Sequence, residues 1–473
     1  MAKHPVHIDF PGRIVFVGFG SIGQGVLPLI LRHIGISPDR ITIVTAEDAG
    51  SAEAREYGVT FIKEPLTRDN YRRVLDPLVG RGDFLLNLSV DVSSVSLIKL
   101  AWEKGAMYLD TCIEPWAGGY TDPTVPAGKR TNYTMREEAL ALRAGNAKAP
   151  TAVVTHGANP GWVSHLVKKA LLTIAADTGV DAGEPASRAD WARLAQALGI
   201  KTIHIAERDT QRAEKPKELN EFVNTWSVDG FVSEGAQPAE LGWGTHERNF
   251  PRDGKRHEVG CGAAIYLMQP GAATRVRTWT PLARNFHGFL ITHSEAIAIS
   301  DYYSVRSGNE VVYRPTCHYS YHPSDSAIAS VHEFAGRNFI LQDKKRILRD
   351  EIISGRDELG VLLYGHGKNA YWFGSQLSID EARKLAPYNN ATSLQVTSST
   401  LSGMIWAMEN PNCGLVEPDD MDYRRNLEIV EPYMGTMHGE YTDWTPLEGR
   451  ERLFQEDLDT TDPWQFKNVR VLW

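Results

Sequence analysis

An apolar run, Ile14 to Val17, breaks into Gly18-x-Gly20-x-x-Gly23 and continues with Ile22, Val26, Leu29 and Ile30 on one helical face. No other feature of the chain constrains its fold as strongly. Strand, glycine turn and helix in that order predict a dinucleotide-binding turn. Gly18 permits the tight turn, Gly20 lets the backbone approach a pyrophosphate, and Gly23 lets the helix pack close to the strand. The amide groups at the start of the helix, around Ser21 and Ile22, face the phosphates. A tight turn with no ligand is the bland alternative, and the flanking strand and helix signals favour a nucleotide.

The alternation continues. Ile41–Val44, Val59–Ile62, Asp83–Ser89, Ala106–Thr111 and Thr151–Val154 read as strands, with a helix from about Ser93 to Gly105. This predicts an α/β fold, with an N-terminal Rossmann domain built on a doubly wound parallel sheet. Beyond residue 200 come short β-type runs with many aromatics and few helical patterns, such as Lys201–Ile205 and Tyr313–Tyr321. These predict a second α+β domain with a largely antiparallel sheet. Residues 177–190 read as a surface insertion, and the acidic tail from Glu417 as irregular. Leu401, Met404, Ile405 and Met408 recur at helical spacing. The expected division is 1–155 for nucleotide binding, 156–390 for substrate binding and dimerisation, and 391–473 packing back on the first domain.

A formal charge of −9 argues against a nucleic-acid partner and suits a cationic substrate. The four cysteines, Cys112, Cys261, Cys317 and Cys413, are far apart, which predicts no metal site and fits a reducing, cytoplasmic compartment. No run is long enough to span a bilayer, and Met1–Pro11 lacks the apolar core of a signal peptide.

Ligands of such a sheet sit outside the carboxyl ends of the strands. Three strand-end segments carry polar groups there: Asn87-Leu-Ser89-Val90-Asp91, Asp110-Thr111-Cys-Ile-Glu114, and Thr155-His-Gly-Ala-Asn159. Asp91 and Glu114 are the acids nearest the nicotinamide position. Helix capping for Asp91 and a solvated loop for Glu114 are the alternatives. The second strand runs into Thr45, with Glu47 and Asp48 just beyond and no arginine to meet a 2′-phosphate, so NAD is expected over NADP. In the β-rich part, Glu207, Trp226, Ser233 and Glu234 are of the types that hold a diammonium substrate: carboxylates compensate ammonium groups and an indole face attracts a cation. By local sequence alone Trp226 reads as a core or interface tryptophan before a ligand, and His293 as a satisfied core histidine before a general base.

Three of these stretches, Val17-Gly-Phe-Gly-Ser-Ile-Gly-Gln-Gly25, Leu109-Asp-Thr-Cys-Ile-Glu-Pro-Trp116 and His156-Gly-Ala-Asn-Pro-Gly-Trp162, together with Trp226–Glu234 and Ala370–Ser375, resemble the bacterial homospermidine synthases across essentially the whole chain. Saccharopine reductases and carboxynorspermidine dehydrogenases are more distantly similar. The resemblance implies a homodimer that joins two putrescines, or an aminobutyl group from spermidine and a putrescine, with tightly held NAD used cyclically and no net redox change. It implies an acidic pocket of Asp91, Glu114, Glu207 and Glu234, a cation held by the ring of Trp226, and substrate orientation or proton relay by Asn159 and His293. A reductase with net cofactor turnover and a non-catalytic polyamine- or NAD-binding regulator are the rival readings.

Overall fold

The computed structural model describes residues 4–450 and 453–472, so Met1–Lys3, at the start of the segment read above for a signal peptide, lies outside it. Two sheets organise the molecule. The first has seven parallel strands in the order Leu415–Val416, Ala152–Val153, Met107–Asp110, Phe84–Asn87, Ile14–Val17, Ile41–Thr45, Thr60–Lys63. The order reverses beside Ile14–Val17, which opens a crevice at the carboxyl ends of the central strands. Ile14–Val17 is buried on both faces, as its unbroken apolar run requires.

The second sheet has eleven strands, with Thr202–Asp209 at its centre between Thr316–His322 and Arg356–His366. Most neighbours run antiparallel, but Thr202–Asp209 and Thr316–His322 are parallel. The chain supplies the crossover that a parallel pair needs. That stretch contains helices absent from the sequence reading: Val228–Ala236, capped by Ser227, and Ser294–Tyr302, which begins at His293. Gly230, Gly235 and Ser233 weaken the helical signal of the first, and packing overrides it.

Two further expectations are corrected. Only 179–187 is loop within the supposed insertion, because Ser187 and Asp190 form a capping box that starts a helix, Arg188–Ala197, with Trp191 buried. The tail is irregular only in part: Asp422 caps a helix, Tyr423–Val430, and Thr436–Thr442 adds an outer strand to the large sheet, while 443–450 and 453–465 are turns and loop. Residues beyond 390 thus serve both sheets. Helix Ala391–Glu409, started by an Asn390/Ser393 capping box, is buried along nearly its whole length and packs on helix Ser21–His33, while Leu415–Val416 extends the parallel sheet.

Candidate active site

A cavity of about 530 Å³ runs from the glycine turn to the face of the large sheet. At the turn, Gly18 has φ +86°, and a Cβ there would lie 2.7 Å from the amide nitrogen of Ser89. A Cβ on Gly20 would meet nothing within 4 Å. The following helix has no side-chain cap, so its first amides are left to whatever occupies the cavity, which Gly18, Gly20, Ser21 and Ile22 line. Gly23 stays behind the wall, against Phe19. Thr45 and Glu47 line the next section with Glu64, while Asp48 is turned away to Lys63. Among the described residues no lysine or arginine lines this cavity.

Asn87, Ser89, Val90, Asp91, Thr111 and Glu114 form the middle wall. Asn87 accepts hydrogen bonds from the Ser89 hydroxyl (2.6 Å) and amide (3.3 Å), and its own amide donates to Tyr108 (3.1 Å). Asp91 holds φ +64°, and its amide donates to a carboxyl oxygen of Glu114 at 3.2 Å. Neither bland alternative survives: Ser93, not Asp91, caps the helix Ser94–Lys104, and Glu114 is buried. Burial, with repulsion from Asp91, Glu234 and Asp110, pushes the Glu114 carboxyl up to about 8, against the lowering pull of the Asp91 amide.

The large sheet closes the far end. Glu207 accepts from Asn159 (2.9 Å) and from the Tyr319 hydroxyl (2.5 Å), and burial still pushes it up to about 7. Trp226 donates its indole N–H to the Tyr321 hydroxyl at 3.2 Å and rests against Phe231, which fixes its plane at the cavity wall. His293 sits between Glu234 (3.0 Å) and Glu295 (3.1 Å) and stacks on Tyr319. Burial alone would lower its pKa, but the two carboxylates hold the imidazole well above its usual range. Ser233 does not line the cavity; it lies on the same helix as Glu234, which does.

Sequence reasoning missed Tyr319, Asp229, Cys112 and Thr392, all of which line the cavity. Tyr319 could have been found, since Cys317, Tyr319 and Tyr321 alternate along one strand and share a face. Thr392 comes from a helix nearly 200 residues beyond Glu207, with no local signal. The arrangement can grip a polycation: several carboxyl groups, the aromatic rings of Trp226 and Tyr319 and no lysine or arginine on the walls, beside a cradle for an anion at a helix start.

The family model described as the saccharopine dehydrogenase NADP binding domain matches residues 14–154, and that of the saccharopine dehydrogenase C-terminal domain matches residues 157–443. The homospermidine synthase of Blastochloris viridis is 56% identical over 100% of both chains. That of Mesorhizobium japonicum is 52% identical over 99% of this chain and 98% of its own. The crystal structure of the homospermidine synthase from Legionella pneumophila in complex with NAD superposes with a TM-score of 0.93 at 48% identity, covering 100% of this chain and 99% of that one. With family models over most of the chain and relatives of this identity along its whole length, the chain is an enzyme of the homospermidine synthase family, built on the saccharopine dehydrogenase domain pair.

Proposed function

We propose that the protein transfers a 4-aminobutyl group from putrescine, or from spermidine, to putrescine, releasing ammonia or 1,3-diaminopropane and forming homospermidine with no net redox change. The observation that carries this reading is the single cavity that joins the glycine cradle to Glu207, Trp226 and Glu234. The acidic, aromatic end suits diamine substrates, and its continuity with the cradle brings their carbons to the cofactor.

The residues present fit NAD. The uncapped helix start and the open space at Gly20 suit a diphosphate, with Gly18, Ser21 and Ile22 beside it. Thr45 and Glu47 suit the adenosine ribose, and the wall without lysine or arginine disfavours a 2′-phosphate. Asn87, Ser89, Val90 and Thr111 would flank the nicotinamide half. When bound, NAD supplies a hydride acceptor that can give the hydride back.

The chain's own residues handle charge and protons. Glu207, fixed by Asn159 and Tyr319, takes a proton from the ammonium that must become neutral before its carbon is oxidised. Asp91, Glu114 and Glu234 hold the remaining ammonium groups, and the face of Trp226 meets the cation formed between them. His293, held between Glu234 and Glu295, is placed to orient the substrate beside Glu207. On the same reading the enzyme is a cytoplasmic homodimer acting on free diamines, with no nucleic-acid or membrane partner.

Incubation with putrescine and a trace of NAD tests the proposal. Homospermidine and ammonia in equal amounts, with no build-up of NADH, are expected. Stoichiometric consumption of cofactor would favour the reductase, and no ammonia at all would favour the regulator.

A further inference from the structure

Behind Glu207 lie two more carboxyl groups on the same face of the large sheet. Glu207 and Asp209 alternate along Thr202–Asp209, and Asp357 stands opposite Asp209 in the adjacent strand Arg356–His366. All three are buried, Asp209 and Asp357 at 0% exposure. Asp209 accepts from the Gln211 amide (2.7 Å) and the Thr225 hydroxyl (2.7 Å). Asp357 is different: neither of its carboxyl oxygens has a hydrogen-bonding partner.

The groups facing Asp357 are Glu207 and Asp209 on one strand, Tyr321 on the next, and Thr392 of the helix packed above. None is a cation. The guanidinium of Arg208 is bonded away, to the carbonyls of Asp209 and Pro323 and to Asp325. The imidazole of His293 acts on Glu207. With two other carboxyl groups against it and no cation beside it, a buried Asp357 carboxylate is costly to keep ionised, and the Thr392 hydroxyl offsets this only in part, so Asp357 holds a proton that the neighbouring Glu207 can share. Burial, with repulsion from Glu207 and Asp209, pushes Asp357 well up, and burial pushes Asp209 up in the same direction. The group opens on the cavity through Glu207.

The proposed reaction borrows protons. Each reacting nitrogen arrives as an ammonium ion and must lose one proton before it reacts; the displaced ammonia and the new secondary amine each take one back. Two diammonium ions enter, and one triammonium ion and one ammonium ion leave, so protons balance over the cycle but not within it.

We propose that Asp357, with Asp209 and Glu207, is the proton store of this site. The proton passes from the substrate nitrogen to the Glu207 carboxylate, is shared among the three carboxyl groups, and returns through Glu207 to the leaving ammonia or the product amine. With Asp357 protonated and its two neighbours ionised, the store has room for the two protons that the cycle borrows. Asp357 touches no substrate and is a positioning residue, acting through Glu207. The proposal rests on the function proposed above.

The test starts on the purified protein alone. Infrared absorption at neutral pH is expected to contain the carbonyl stretch of a buried protonated carboxyl that disappears in Asp357→Asn. A wild-type spectrum without that band, or a band unchanged in the variant, overturns the proposal. NAD-loaded protein is then mixed with putrescine in weak buffer containing a pH indicator. Wild type is expected to release less than about a third of a proton per reduced cofactor in the first turnover, and Glu207→Gln, which closes the entry to the group, about one. One-for-one release by wild type overturns the store while leaving the activity in place, whereas a wild type that forms no homospermidine counts against the proposed function itself. If Asp357→Asn does not fold, wild-type proton release still decides.

Discussion

Trp226 concentrates the account at the scale of single residues. Its N–H is spent on Tyr321, so the ring face is what the cavity receives. A cation over that face gains about 0.5–2 kcal/mol, or roughly 2- to 30-fold in rate if the interaction is made in the transition state. Trp226→Ala is therefore expected to lower kcat/KM for putrescine by about tenfold or more, with NAD affinity unchanged; steady-state kinetics and a cofactor titration check both halves. Nothing near Trp226 in sequence separates it from eleven other tryptophans. Its partner Tyr321 and the Glu207 that lines the same cavity come from distant strands, so family resemblance, not local pattern, singled it out. Glu114 adds a pH effect. Its folded-state pKa of about 8 lies above the ordinary 4.5, so the folded protein binds the proton more tightly than the unfolded chain. That contribution is fully present below about pH 4.5 and is lost as pH rises through about 8. Thermal unfolding without cofactor should show Glu114→Gln gaining on wild type from pH 5 to pH 9.

At the scale of elements, the strand–turn–helix separates two glycines that look alike in sequence. Gly18→Ala forces a side chain into φ +86° and against the Ser89 amide, and is expected to cost roughly 1–3 kcal/mol of stability. Gly20→Ala adds a methyl to open space, so its melting temperature should match wild type while NAD affinity falls about tenfold or more, because the methyl stands where the diphosphate would approach. Calorimetry and cofactor titration on the two variants give opposite orders. This unit was legible because all of its determinants lie within 20 consecutive residues. Helix Val228–Ala236 was not: its glycines and serine suit a loop, and what holds it helical is the Ser227 cap and the burial of Val228 and Phe231. The sheet-forming tail Thr436–Thr442 is equally silent alone, since an outer strand with several polar residues has no continuous apolar run.

The whole molecule is tied together by residues beyond 390. Helix Ala391–Glu409 packs against the glycine-turn helix and delivers Thr392 to the cavity, so the two sheets share one site. Arg136 is the hub of this join. Its guanidinium, 2% exposed, bonds Glu417 at 2.6 and 2.9 Å and Asp301 at 3.1 Å, linking helix Asn132–Leu140, the returning chain and helix Ser294–Tyr302. Arg136→Ala leaves Asp301 paired with Arg188 at 3.0 Å and Glu417 near Arg143 at 3.6 Å, so it removes buried hydrogen bonds without stranding either charge and is expected to cost roughly 1–3 kcal/mol, seen as a lower denaturant midpoint. Because those contacts join elements on both sides of the cavity, fluorescence and circular dichroism should report the same loss.

The central claim is that one carbon gives up a hydride and regains it while the same site exchanges one amine for another. Putrescine carrying deuterium on both terminal carbons measures this directly, with a trace of unlabelled NAD present. The account predicts homospermidine that keeps all of its deuterium at the carbons joined to the new secondary nitrogen. Homospermidine with one deuterium replaced by hydrogen at that position would contradict it, because the hydride would then have come from somewhere other than the substrate.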